Sequence, residues 1–78
     1  MESLDVELSR LKTRKAYRAG NEEVFPSDAS VDWFIRKNHK KLKEARAIYE
    51  FGGRVLIDPP VFNQAALEIG AAAVREAA

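Results

Sequence analysis

The sequence predicts a mainly α-helical domain carrying one β-hairpin. Three observations lead there. Apolar residues recur at three- and four-residue spacing through most of the chain, the mark of helices with one buried face. Helix punctuation stands where those patterns begin, at Ser27-Asp28 and at Pro59-Pro60. Residues 47–58, AIYEFGGRVLID, break the helical spacing: two short runs rich in Tyr, Phe, Val and Ile flank Gly52-Gly53. A Gly-Gly pair accepts the positive φ of a tight hairpin turn, and those side chains suit a half-buried pleated surface. A lone hairpin is marginal in water, so it must lean on the helices.

At 78 residues the chain makes one small domain. With no cysteine and a single histidine, His39, it has no disulfide and no Cys-based zinc site, and no metal or other cofactor is expected. The opening MESLDVELSR is acidic and has no long apolar run, so neither a secretory signal nor a membrane span is expected and the chain reads as cytoplasmic. Net charge is +1, but eleven of the thirteen Lys and Arg and only five of the twelve acids fall within residues 10–46. That segment therefore carries +6 and the remainder −5, the footprint of a face for a polyanion or, more plainly, of solvated helix surfaces.

In chain order, Leu4, Leu8 and Leu11 space residues 2–19 as a helix, with Ser3 as a cap, Asp5 and Glu7 in its first turn and Arg14, Lys15 and Arg18 in its last. The apolar stripe is thin, and a basic DNA-binding arm built on Arg14, Lys15 and Arg18 is the other reading. Gly20-Asn21 stops the helix, and Phe25, held extended by Pro26, plugs the core. Ser27 caps a helix over residues 27–38, with Ser30 as a second possible cap. Its core residues are Val31, Trp33, Phe34 and Ile35, and Asp32 can pair with Arg36. Residues 39–46 are helical in composition, with Leu42 and Ala45 inward and Lys40, Lys41, Lys43 and Arg46 outward; a break at Asn38-His39 is left open. In the hairpin Ile48, Leu56 and Ile57 join the core, Glu50 can pair with Arg54, and Pro59-Pro60 opens a last helix through Phe62, Ala66, Ile69 and Ala73. Gly70 weakens that helix, so residues 71–78 read as an Ala-rich tail that frays, projects or is completed by a neighbouring protomer.

No nucleophile–histidine pairing, phosphate loop or carboxylate pair of catalytic kind stands out, and an enzyme is not expected. Nucleic-acid binding has three features in its favour. The capped helix offers Ser27 and Ser30 near a phosphate and Arg36 and Lys37 toward a backbone or base edge. The run His39, Lys40, Lys41, Lys43 and Arg46 has phosphate reach. Arg54 follows the glycine tip of the hairpin. In this order they outline a helix-turn-helix followed by a wing. Each has a plainer reading beside it: Ser27 as a cap, Arg54 paired with Glu50, Lys43 and Glu44 merely solvated.

The residues Phe25-Pro26-Ser27, Ala29-Ser30, Trp33-Phe34-Ile35, Asn38, Leu42, Ala45, Ala47-Ile48, Gly53-Arg54-Val55-Leu56-Ile57-Asp58 and Phe62 resemble the small winged helix-turn-helix proteins of bacterial mobile elements, related to the excisionase and MerR-type superfamily. The likeness covers residues 24–70, leaving residues 1–23 as an N-terminal helix or basic arm and 71–78 as the tail. It implies a DNA-binding architectural protein that binds repeated double-stranded sites in several copies, self-associates on DNA and lets an integrase excise the element. A transcription regulator and, from another class, a protein-interaction module are the alternatives. Residues 30–38 match the family's recognition-helix region and 52–54 its wing turn. The polar stretch 14–23 and the long link 39–46 depart from the pattern, so which helix enters the major groove stays open.

Overall fold

The computed structural model describes residues 8–77. A single 3₁₀ turn, Leu8–Arg10, leads into strand β1 (Lys12–Thr13) and helix α1 (Arg14–Ala19). Helices α2 (Asp28–Lys37) and α3 (His39–Glu44) follow, then strands β2 (Ile48–Phe51) and β3 (Arg54–Ile57), and the long helix α4 (Pro59–Ala77). The domain is mainly helical with a small antiparallel sheet in the order β1-β3-β2.

The hairpin forms where its turn chemistry requires. Gly52 and Gly53 have φ of 59° and 87°, both in the region that L side chains avoid, as a two-residue type I′ turn needs. The register pairs Ile48 with Ile57, Tyr49 with Leu56, Glu50 with Val55 and Phe51 with Arg54. Period-two alternation then puts Ile48 and Ile57 on the core face and Tyr49, Phe51 and Leu56 on the other. Leu56 is accordingly half-buried and not a core residue as expected. The expected pairing of Glu50 with Arg54 is not made: Glu50 meets His39, with Oε2 3.0 Å from Nε2.

A third strand was not expected. Lys12 pairs with Ile57 and Thr13 with Leu56, so β3 is central and its outer edge is covered. The helix expected over residues 2–19 is thus broken. Ser3, Leu4, Asp5 and Glu7 lie outside the described residues, Leu8 is exposed, and helix starts only at Arg14, where Thr13 Oγ1 accepts from the Ala16 amide at 3.1 Å. Residues 14–19 form a helix packed on the core, not an arm, because Tyr17 is buried against Phe62 at a ring-centroid distance of 4.8 Å. Helix α1 ends at Gly20, as its glycine and Asn21 predict.

Helix α2 starts with a reciprocal capping box: Ser27 Oγ accepts the Ser30 amide and Ser30 Oγ accepts the Ser27 amide, each at 3.2 Å. Val31 and Ile35, one turn apart, are buried; Phe34 packs at the core edge, 5.4 Å from Phe25 and 5.9 Å from Phe62. Trp33 was expected in the core and is 57% exposed. Helix geometry is the reason: two residues beyond Val31 lies about 200° round the helix, on the opposite side. The chain breaks at Asn38 (φ −112°, ψ 26°), whose side-chain amide donates to the Phe34 carbonyl at 3.0 Å. Leu42 of α3 is fully buried, whereas Ala45, expected inward, is exposed at the helix end.

Helix α4 opens on Pro59-Pro60, whose missing amides would be unpaired there in any case. Phe62 and Ala65 are buried, and Ala66 and Ile69 pack at the core edge. The helix continues through Gly70 to Ala77, so residues 71–77 extend it by two turns beyond the core. Asp58, just before α4, is the one buried charged residue among those described. Arg10 grips it with two bonds, Nε to Oδ1 at 2.8 Å and Nη2 to Oδ2 at 2.7 Å, tying the start of the chain to the β3–α4 junction. No described helix is long and apolar enough to cross a membrane.

Candidate nucleic-acid interface

The cations picked out from the sequence divide into two kinds. Arg18 donates Nε to Asp28 at 2.8 Å and Nη1 to the Pro26 carbonyl at 3.2 Å. Arg14 stands 3.3 Å from Asp32, which therefore does not pair with Arg36 as expected. These two residues bind α1 to α2. The side chains of Lys15, Arg36, Lys40, Lys41, Lys43, Arg46 and Arg54 make no hydrogen bond or ion pair with another described residue. Lys37 holds its ammonium 4.8 Å from the centre of the Trp33 ring, a cation–π contact at the surface.

The fold gathers several of them along one trough. Its upper part, between the hairpin tip and the starts of α1 and α2, is lined by Lys15, Asp28, Gly53 and Arg54. Its lower part, between α2 and β3, is lined by Ile35, Arg36 and His39. Arg14, Asp32 and Val55 border both parts, so the two adjoin. Arg14 and Lys15 of the expected arm, Arg36 of α2, His39 of α3 and Arg54 beside the hairpin turn, distant in sequence, thus border one surface. Lys43 stands one turn on from His39 and shares its face of α3. Lys41 does not belong to this surface: it lines the cleft between α3 and α4 with Glu44 and Glu68.

The two serines have less to offer than the sequence reading gave them. Ser30 Oγ also donates to the Ser27 carbonyl at 2.6 Å, so both hydroxyls are engaged inside the cap. Asp28 sits in the first turn with Arg18 on it, so this helix end already holds a carboxylate where an anion would bind. Among the described residues no group of three or more His, Asp or Glu could hold a metal ion.

Sequence reasoning passed over the opposite face. Val24, Trp33 and Leu67 are exposed around two adjoining apolar grooves floored by Phe25, Phe34 and Ala66. Gly70 lies at the edge of one groove, and Val74 stands exposed a turn further along α4. The signal was available in the spacing of Leu67, Gly70 and Val74, which recurs on one helix face. Comparison of the chain with protein-family profiles, with curated proteins and with solved structures finds no match.

Proposed function

We propose that the protein is a cytoplasmic double-stranded-DNA-binding protein of winged helix-turn-helix type, with α2 as recognition helix and the β2–β3 hairpin as wing. The observation that carries this reading is the trough between α2 and the hairpin, edged by Lys15, Arg36, His39 and Arg54. Three of these, Lys15, Arg36 and Arg54, are cations with no partner among the described residues. The strand order β1-β3-β2, with the helices placed between β1 and β2, supports the same reading. Lys40, Lys43 and Arg54 anchor phosphates, and Arg36 reads a base edge. The role is architectural: several copies on repeated sites promote integrase-driven excision of a mobile element, and regulation of transcription at a promoter is the alternative with the same DNA contacts.

A gel-shift series across salt concentrations tests this. Binding that weakens steeply with salt is expected. Absence of salt-sensitive binding to any duplex would end the DNA reading. Replacing Arg36 with Ala is expected to narrow the gap between matched and mismatched sites by about 1–3 kcal/mol; an unchanged gap would remove Arg36 from base reading.

A second reading, a protein-interaction module, is favoured by the apolar face of Val24, Trp33, Leu67 and Val74. Beside DNA binding, the same face would serve self-association of copies on adjacent sites. Sedimentation of the free protein and of Leu67→Lys separates the two: a dimer lost in the variant assigns the face to self-association.

A further inference from the structure

Helix α3 ends on a residue in a conformation that glycine ordinarily supplies. The Ala47 amide donates to the Leu42 carbonyl at 2.9 Å and the Arg46 amide to the Lys43 carbonyl at 3.0 Å. These are the paired bonds of a Schellman motif, which requires its central residue to be left-handed. That residue is Arg46, with φ of 62°, the one non-glycine among the described residues with positive φ. A Cβ is strained there, and Gly is the usual solution.

The surroundings show why the turn must exist but not why it carries an arginine. Ala47 is fully buried immediately after it, and its carbonyl accepts the Asp58 amide at 3.0 Å, so β2 has to begin at that point. The turn is therefore imposed by packing on both sides. The Arg46 side chain is exposed and makes no hydrogen bond or ion pair with any described residue. Folding alone would be better served by glycine. Strain held in place without an internal return is a pointer to function.

We infer that Arg46 is a further DNA-backbone contact, its guanidinium bound to a phosphate, retained at the expense of stability. The inference rests on the DNA-binding reading above. Along the chain Arg46 lies between α3, which carries Lys40 and Lys43, unpaired among the described residues, and the first strand of the hairpin, and a planar guanidinium matches phosphate oxygens in two-point fashion.

Arg46→Gly, Arg46→Gln and Arg46→Lys test it together. Arg46→Gly is expected to raise the melting temperature by about 4–8 °C, since it relieves the strained turn. The same change is expected to weaken binding by roughly five- to tenfold at 0.1 M salt, equally on matched and unrelated duplexes, and to lower the salt slope by about 0.9. Arg46→Gln keeps the strain and loses the charge, so it should bind like the glycine variant with wild-type stability. Arg46→Lys should keep most of the salt slope. Because the glycine variant is the more stable protein, its weaker binding cannot come from unfolding. Wild-type affinity and slope in Arg46→Gly and Arg46→Gln, or a glycine variant no more stable than wild type, would overturn the inference while leaving the DNA reading intact. A wild-type protein without salt-sensitive binding would overturn both.

Discussion

The arginines of residues 10–18 and the cations of residues 36–54 look alike in sequence and differ in what the fold does with them. Arg10, Arg14 and Arg18 each meet an aspartate: Asp58, Asp32 and Asp28. They join the start of the chain to the β3–α4 junction and to α2. Arg36, Lys40, Lys43, Arg46 and Arg54 meet no described partner. The first group serves mainly to hold the fold together; the second leaves its charge to solvent or to a ligand. A count of charge along the sequence merges the two, and only the pairing separates them.

That division can be broken in order of expected effect. Arg10→Ala leaves the Asp58 carboxylate buried without its two-point partner and should cost about 3 kcal/mol in urea unfolding. A loss under about 1 kcal/mol, the range of exposed pairs, would mean that Arg10 is no strut. The pair Lys40→Gln and Lys43→Gln should do the reverse. Stability should stay within about 0.5 kcal/mol, while the salt slope of duplex binding falls by about 1.8. An unchanged slope would take α3 out of the interface.

Tyr17 gives an intermediate case. Its hydroxyl donates to Asn63 Oδ1 at 2.5 Å, and burial raises the phenol above its ordinary ionisation range. Tyr17→Phe should cost about 1 kcal/mol at neutral pH. The fold holds the phenolic proton more tightly than the unfolded chain does. Above about pH 10 the unfolded chain therefore binds fewer protons, and stability falls as pH rises. Thermal melts of wild type should show that alkaline loss, and the Phe variant should lack this part of it. The smallest effect is expected from Arg18→Gln, which removes a partly exposed pair worth under about 1 kcal/mol and should leave the salt slope unchanged. A lower slope would move Arg18 into the second group.

What was legible beforehand follows the reach of each interaction. Ser27 as a cap, Gly52-Gly53 as a turn and Pro59 as a start all act within about four residues, the range over which backbone and side chain meet locally, whereas the break at Asn38 stayed open in the sequence. Val31, Ile35, Leu42 and Phe62 were readable from helical spacing, and their burial follows. Strand β1 was not readable, since two residues are too few to show alternation. Trp33 was misplaced because it was counted with the apolar band of α2, while its helical angle points away from Val31. Of the candidate site, the exposed cations of α3 and the place of Arg54 beside the hairpin turn could be named in advance. Their grouping across the trough could not, nor could the engagement of Ser27 and Ser30 with each other.

The sequence by itself determined where α2 and α4 begin, where the hairpin turns and that Val31 and Ile35 lie on the buried side of α2. Those outcomes rest on dihedral preference, capping and periodicity, which neighbours in the chain dictate. The tertiary structure alone decided that Asp58 is buried on Arg10, 48 residues away. It also decided that β3 is a central strand, that Arg14 and Arg18 are tied to α2, and that Arg46 closes α3 in a left-handed turn. Each of these depends on groups brought together only when the core forms, and the spacing of residues along the chain carries no record of that meeting.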